Sequence, residues 1–380
     1  MLSSRAIRRW SVLHTWSSLI CTVFLLMLCL TGLPLIFHDE IDTLTGDGIT
    51  ATSLPAGTPD VSLDRVALAA QQRYPRQFIR SLFYDDDSPH VIQVGLVPEI
   101  DARPDRIHLV AVDARTAQVL KEPKPAQGFM YVMLQLHEQL FLGLPGELFL
   151  GLMGLLLLLA IVSGIVLYAP FMRRLNYGTL RRGSTRIRWL DLHNLAGIVT
   201  LLWLLVVGAT GVMNTLSTPL FGLWTMQRLP PLLAPYAGQP RPTHYGSVQA
   251  AVEQARAALP AMEVVSVVYP TTQFGSPRHY VIWTKGRTPV TSRLMTPALV
   301  DVQTGQLITV QGLPWYLRVL ELSRPLHFGD YGGLALKIVW ALLDLLAILV
   351  LISGLWLWAK RRRGGRREMA QEPSRAQVSP

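Results

Sequence analysis

The sequence predicts a mainly α-helical membrane protein: four transmembrane helices in two tandem repeats, with two small α+β domains between them. Three observations carry this. Of 380 residues, 50% are hydrophobic and only 16% are charged, against the about 25% charged residues of an ordinary soluble domain. Four apolar stretches each exceed the roughly 20 residues needed to cross a bilayer. Short motifs from one half of the chain recur in order in the other. The composition argues against an ordinary cytosolic enzyme or a disordered chain. The two cysteines, Cys21 and Cys29, both fall inside the first apolar stretch, so they offer neither a disulfide framework nor a four-cysteine zinc site.

The elements follow in order: a cytoplasmic N-terminus over 1–10, a first span over 11–37 and an α+β domain over 38–147. A second span covers 148–171, a basic loop 172–189 and a third span 190–213. A second α+β domain covers 214–333, a fourth span 334–359 and a basic tail 360–380. The first span is too long for a signal peptide and lacks a small-residue cleavage site, so it reads as retained.

Orientation follows from lysine and arginine. Sixteen of the thirty-five lie in residues 1–10, 171–188 and 360–380, the positive-inside pattern. In a bacterial inner membrane this puts both termini in the cytoplasm and both large domains in the periplasm. The net charge of +10 is mostly this asymmetry, not a sign of nucleic-acid binding, and the tail KRRRGGRR suits an anionic lipid surface. Residues 38–146 carry fifteen acids and nine bases, whereas 214–331 carry five acids and nine bases.

The repeat is read from residues. Trp10-x-x-Leu13-His14 recurs as Trp189-x-x-Leu192-His193, and Thr31-Gly32 as Thr210-Gly211. Val112-Asp113-x-x-Thr116 recurs as Val300-Asp301-x-x-Thr304, Leu136-His137 as Leu326-His327, and Ser163-Gly164 as Ser353-Gly354. Parallel repeats imply a pseudo-twofold axis along the membrane normal. Within each outer domain a helix (63–74, 248–259) precedes strand-like runs at 78–83, 91–97 and 107–112, or at 264–269, 280–284 and 298–302. Turns at Arg115-Thr116 and Thr304-Gly305 would close hairpins.

Four histidines occupy matched positions at membrane boundaries: His14 and His193 at the cytoplasmic side, His137 and His327 at the periplasmic side. Two imidazoles facing each other across a four-helix core are able to ligate one haem iron from both axial sides. Two such pairs would make a two-station electron wire. His14 and His38 lie 24 residues apart on one helix, roughly 36 Å, so they cannot share an iron. His38, whose duplicate is Ser217, is an alternative outer ligand or a substrate-side group. His108 is strand-like, His90, His244 and His279 read as loop positions, and all four read as structural. Zinc is a poorer fit, with no His-x-x-x-His present, and a c-type haem would need Cys-x-x-Cys-His. Asp344, in mid-span opposite Gly154 of the other repeat, is either a proton relay or an interhelical hydrogen-bonding group. The small residues at Ser163-Gly164 and Ser353-Gly354 fit close helix approach.

With no glycine-rich nucleotide fingerprint and no hydrolase motif, a reductase of this kind would need a separate donor, a quinol or a cytoplasmic reductase. The paired Leu-His, Thr-Gly and Val-Asp-x-x-Thr motifs, over about residues 5–362, resemble the PepSY-associated transmembrane family. That resemblance implies PepSY-like periplasmic domains, two b-type haems in the membrane core, and ferric-siderophore reductase activity that releases Fe(II). It identifies His14, His193, His137 and His327 with the family's helix-end histidines. A hydroxamate siderophore is the substrate it favours, with Tyr131, Trp315, Tyr316 and Arg318 near the outer histidines as pocket candidates. A siderophore or iron permease and a PepSY-type membrane sensor remain the other readings.

Overall fold

A computed structural model describes residues 3–376 except for 47, 86–87, 104–105, 125, 173–178, 273–275 and 289–290. Part of the basic loop and the last residues of the basic tail therefore lie outside the described residues. The chain divides into two compact units. One comprises residues 1–37, 132–216 and 323–380, the other residues 38–131 and 217–322.

Four helices of the first unit are long and apolar enough to cross a membrane: α1 (Ser4–Ile36), α5 (Leu144–Met172), α6 (Thr185–Asn214) and α10 (Gly333–Ala376). The remaining helices are α2 (His38–Thr45), α3 (Leu63–Arg73), α4 (Gly128–Glu138), α7 (Ser217–Leu233), α8 (Val248–Ala258) and α9 (Trp315–Phe328). The spanning helices outrun their apolar cores: α6 begins inside the expected basic loop, and α10 continues through the expected tail. Polar helix formers extend a helix at no hydrophobic cost once it has left the lipid.

α1 packs on α5, α5 on α6, α6 on α10 and α10 on α1, a closed ring of four. The interior is built on small residues. Gly151 receives Thr215, Gly154 receives Val212, and Gly208 lies against Leu157 and Leu158. Buried hydroxyls at Thr22, Thr31, Thr200 and Thr210 donate to carbonyls four residues back in their own helices. Hydroxyls of this kind satisfy themselves where water is absent.

The second unit corrects the expectation of two separate α+β domains: it is built on a single eight-stranded antiparallel sheet. Residues 78–121 supply β1 (Phe78–Tyr84), β2 (Val91–Val97), β3 (His108–Asp113) and β4 (Val119–Lys121). Residues 262–310 supply β5 (Met262–Val268), β6 (His279–Gly286), β7 (Met295–Asp301) and β8 (Leu307–Val310). The order is β4-β3-β2-β1-β5-β6-β7-β8, and Leu82 pairs with Val267 at the join. Each four-stranded half alone would expose β1 or β5 as a bare edge. Pairing the two leaves only the short β4 and β8 at the rims.

α3 and α8 pack together and share one hydrophobic core with the strands, Val66 and Ala70 from α3 beside Val252 and Ala255 from α8. Their N-termini cap each other. Gln249 Oε1 accepts from the Leu63 backbone N–H at 3.0 Å, and Asp64 Oδ1 accepts from that of Val248 at 2.8 Å. Two orphan helix donors are thereby satisfied across the join.

Candidate functional site: two histidine pairs in the helical unit

The four boundary histidines share one local arrangement. On α1, His14 Nδ1 donates to the Ala160 carbonyl of α5 at 2.9 Å and lies 3.2 Å from Ser163 Oγ. On α6, His193 Nδ1 donates to the Val350 carbonyl of α10 at 3.0 Å and lies 2.9 Å from Ser353 Oγ. On α9, His327 Nδ1 donates to the Val207 carbonyl of α6 at 3.0 Å and lies 3.3 Å from Thr210 Oγ1. On α4, His137 bonds the Leu28 backbone of α1, and its Nδ1 lies 3.0 Å from Thr31 Oγ1. Each of these hydroxyls already donates to a carbonyl of its own helix, so it meets the ring N–H as an acceptor.

The residue after each hydroxyl is a glycine on which the ring rests. A Cβ at Gly32 would stand 3.2 Å from His137 Cε1, and one at Gly211 would stand 3.1 Å from His327 Cε1. The same holds at Gly164 for His14, at 3.3 Å, and at Gly354 for His193, at 3.5 Å. Every Ser/Thr-Gly dipeptide singled out in the sequence is thus one half of a histidine cradle. The sequence pattern marks Ser163-Gly164 and Ser353-Gly354 as helix-approach positions and Thr31-Gly32 and Thr210-Gly211 only as repeat motifs. The usable signal was numerical: four hydroxyl-glycine pairs stand against four matched histidines.

With Nδ1 committed as donor, the tautomer is set and Nε2 keeps its lone pair. Among the described residues, none of the four Nε2 atoms has a hydrogen-bond partner. All four rings are only half-buried, leaving part of each ring surface uncovered by protein. Burial, and then the neighbouring His327, push His137 down to about 3. Burial likewise lowers His327.

The histidines meet in two pairs. The His137 and His327 rings have centroids 6.1 Å apart with planes crossed at 62°. His14 is close enough to act electrostatically on His193. The pairs lie at opposite ends of the bundle, since His14 and Thr31 are 17 residues apart on α1, about 26 Å of helix. The short helices carrying the second pair are anchored locally. Ser323, one turn before His327, donates to Asn214 Oδ1 of α6 at 2.9 Å. After α4, Leu140 and Phe141 adopt positive φ, and the chain turns so tightly that a Cβ on Gly146 would stand 1.8 Å from the Gln139 carbonyl oxygen.

The other singled-out residues fall elsewhere. His38 starts α2 in the second unit, 56% exposed, with its Nε2 2.7 Å from Asp39 Oδ1. Asp344 is buried on α10, where the Cys29 thiol of α1 bonds it and its Oδ2 has no partner among the described residues. His108 lies on β3, and His90 and His244 on loops. His279 departs from the expected loop: it opens β6, fully buried, because the ladder extends to pair it with Asp301. Of the pocket candidates, Trp315 is 76% exposed, while Tyr316 packs on Leu313, Leu317 and Leu320. Among the described residues, no group of three or more His, Cys, Asp or Glu side chains could hold a bare metal ion.

A ring of four spanning helices with paired imidazoles at both ends is an integral membrane protein with two candidate cofactor positions. The chain belongs to the family described as the PepSY-associated TM region, whose profile matches residues 11–361. It is also similar to the uncharacterized protein PA4219 of Pseudomonas aeruginosa. The two are 30% identical over 266 residues, covering 61% of this chain and 63% of that protein.

Proposed function

We propose that the chain is a di-haem b-type oxidoreductase of the bacterial inner membrane that carries electrons outward to reduce ferric iron held by a siderophore. The observation that carries this reading is the fourfold cradle together with the 6.1 Å spacing of His137 and His327. Imidazole nitrogens bind a metal ion at about 2.0 Å, so rings at this spacing would leave room for one iron held by His137 and His327. The protein need supply only two ligands per iron, because the macrocycle supplies the other four. Among the described residues no larger ligand cluster accompanies them.

In this reading His14 and His193 hold one haem and His137 and His327 the other. Bound there, haem supplies one-electron carriage. The residues of the chain do the rest. The carbonyl and hydroxyl acceptors hold each Nδ1–H and strengthen Nε2 as a donor, the glycines let the rings approach, and the four helices exclude water. The arginine and lysine excess argues for cytoplasmic termini and a periplasmic sheet unit. Siderophores bind ferric iron through hard oxygen donors, and a hydroxamate type is the proposed substrate. One-electron reduction would weaken its hold and release Fe(II). Asp344 is the proposed proton relay. His38 remains an alternative outer ligand or a substrate-side group.

The test is an optical spectrum of the detergent-purified protein, air-oxidised and then dithionite-reduced, with haem per chain by pyridine haemochrome. The expected result is sharp b-type bands and close to two haems per chain. A protein that stays colourless after expression with haem precursor would sink the proposal and leave the permease or sensor readings.

A further inference from the structure

We infer that the basic end of the helical bundle is a docking surface for an acidic, soluble one-electron carrier protein, which delivers electrons to the His14/His193 pair; the inference rests on the di-haem reading. The chain shows no nicotinamide or flavin fingerprint, so its electrons come from a second molecule. If substrate meets the His137/His327 end, the donor must approach the other.

That end is rich in exposed positive charge. Arg5, Arg8 and Arg9 project from the first turns of α1, and Arg186 and Arg188 from those of α6, with Arg182 just before it. All six are exposed, as are Lys360, Arg361 and Arg362 on α10. Glu368 and Glu372 lie farther along α10, and among the residues at this end whose exposure is described the one carboxylate, Asp191, is already taken. Arg181 grips it with Nε at 3.1 Å and a terminal guanidinium nitrogen at 2.7 Å, and the Arg181 backbone N–H adds a bond at 2.9 Å. The clamp fixes the loop to α6 two residues before His193. Its acid neutralises none of the other cations.

A topogenic signal needs only the count of positive charges. Here the charges also stand on folded helices, close to the histidines. Arg9 is five residues before His14, and Arg188 five before His193. Between this basic rim and His193 lies a stacked indole pair. The Trp189 and Trp356 ring centroids are 5.3 Å apart with planes at 26°, and the Lys360 ammonium lies 5.6 Å from the Trp356 ring centre. Trp189 sits one turn before His193, and Trp356 three residues beyond Ser353. A cationic rim around a flat aromatic centre over the redox pair suits a partner whose own redox centre is ringed with carboxylates. Such complementarity steers encounter and fixes orientation. The step balances simply: one electron leaves the carrier, which is oxidised by one, and one ferric ion is reduced to ferrous at the far end. No bond or proton need be exchanged with the carrier.

The experiment uses the full chain in nanodiscs of zwitterionic phosphatidylcholine, which offer no anionic headgroups, with a plant-type [2Fe–2S] ferredoxin as the acidic probe. Binding is read by fluorescence anisotropy across a salt series, first for the unaltered chain. It is then read for Arg182→Gln/Arg186→Gln/Arg188→Gln, and for His14→Ala/His193→Ala. We expect binding that weakens steadily with salt and at least about fivefold weaker binding in the arginine variant, as the loss of three rim charge pairs implies. The histidine variant should bind as the unaltered chain does. Photoreduced ferredoxin, freed of excess reductant, should reduce the haem bands of the unaltered chain faster than those of the arginine variant. Binding that is absent, or indifferent to salt, would overturn the proposal and leave the rim as a lipid and orientation signal. Reduction by menadiol at equal rates in both chains, with no ferredoxin binding, would overturn it in favour of a quinol donor. Salt-sensitive binding to discs that carry no haem would keep the docking surface and defeat the di-haem reading instead.

Discussion

The two histidine pairs are built from the same parts by different routes. At the basic end the histidines belong to the spanning helices α1 and α6, and their cradles to α5 and α10. At the other end the spanning helices α1 and α6 supply the cradles, and the histidines arrive on the short helices α4 and α9. The first pair is therefore fixed by assembly of the bundle itself. The second depends also on two short segments, held by the Ser323–Asn214 bond and the tight turn after α4. Formation of the second pair is the more easily disturbed step, while the ligand environment is alike at both ends.

The sharpest way to break the comparison is to remove one pair at a time. His14→Ala/His193→Ala is expected to lose one haem of two and keep the other, and His137→Ala/His327→Ala to do the converse. Haem per chain and the split of the reduced band measure both, and retention of both haems in either variant refutes the ligand assignment. Next in size are the glycines. Gly32→Val and Gly211→Val place branched side chains where a bare Cβ already stands 3.2 and 3.1 Å from a ring. They should empty the His137/His327 position and leave the basic-end one filled. Equal loss at both ends would show that the pairs do not assemble independently.

A smaller effect sharpens the likeness of the two environments. Thr31→Val, Thr210→Val or Ser163→Ala removes an acceptor from a ring N–H and should leave haem content intact. Losing one hydrogen bond of about 0.5–1.5 kcal/mol weakens Nε2 as a donor to ferric iron. It should raise the midpoint of the affected haem by about 20–60 mV, at 59 mV per tenfold for one electron. Redox titration reads this, and an unchanged potential would reduce the hydroxyl to a packing role. Smallest is Asp344→Asn. A relay predicts that the variant loses any pH dependence of the midpoint, up to about 59 mV per pH unit, with haem content unchanged. If only thermal stability moves, Asp344 is an interhelical hydrogen-bonding group.

Helix periods, apolar length and turn chemistry made much of this fold legible. The four spans, the strand at 91–97 and the two hairpin turns all emerge from local pattern. The cradles did not, because no local rule ties His14 to Ser163 or His327 to Thr210. Those contacts exist only once helices far apart in sequence pack, and a Thr-Gly step is equally at home in any close helix crossing. The joined sheet was hidden for a similar reason. β1 and β5 look like ordinary strands, and nothing in their residues says that the partner of Leu82 is Val267. His279 was misplaced because its pairing with Asp301 becomes visible only when the ladder to β7 is known.

The joint between β1 and β5 also bears on biosynthesis. Some 180 residues separate Leu82 from Val267, and α5 and α6 lie between them in the chain. While the ribosome is still making those two helices, the first four strands have no fifth to join, and β1 offers its unpaired N–H and C=O groups to whatever is nearby. An exposed edge of that kind invites wrong partners. The nascent protein therefore passes through an interval in which a holdase, or a neighbouring copy, competes with the half that has yet to be translated.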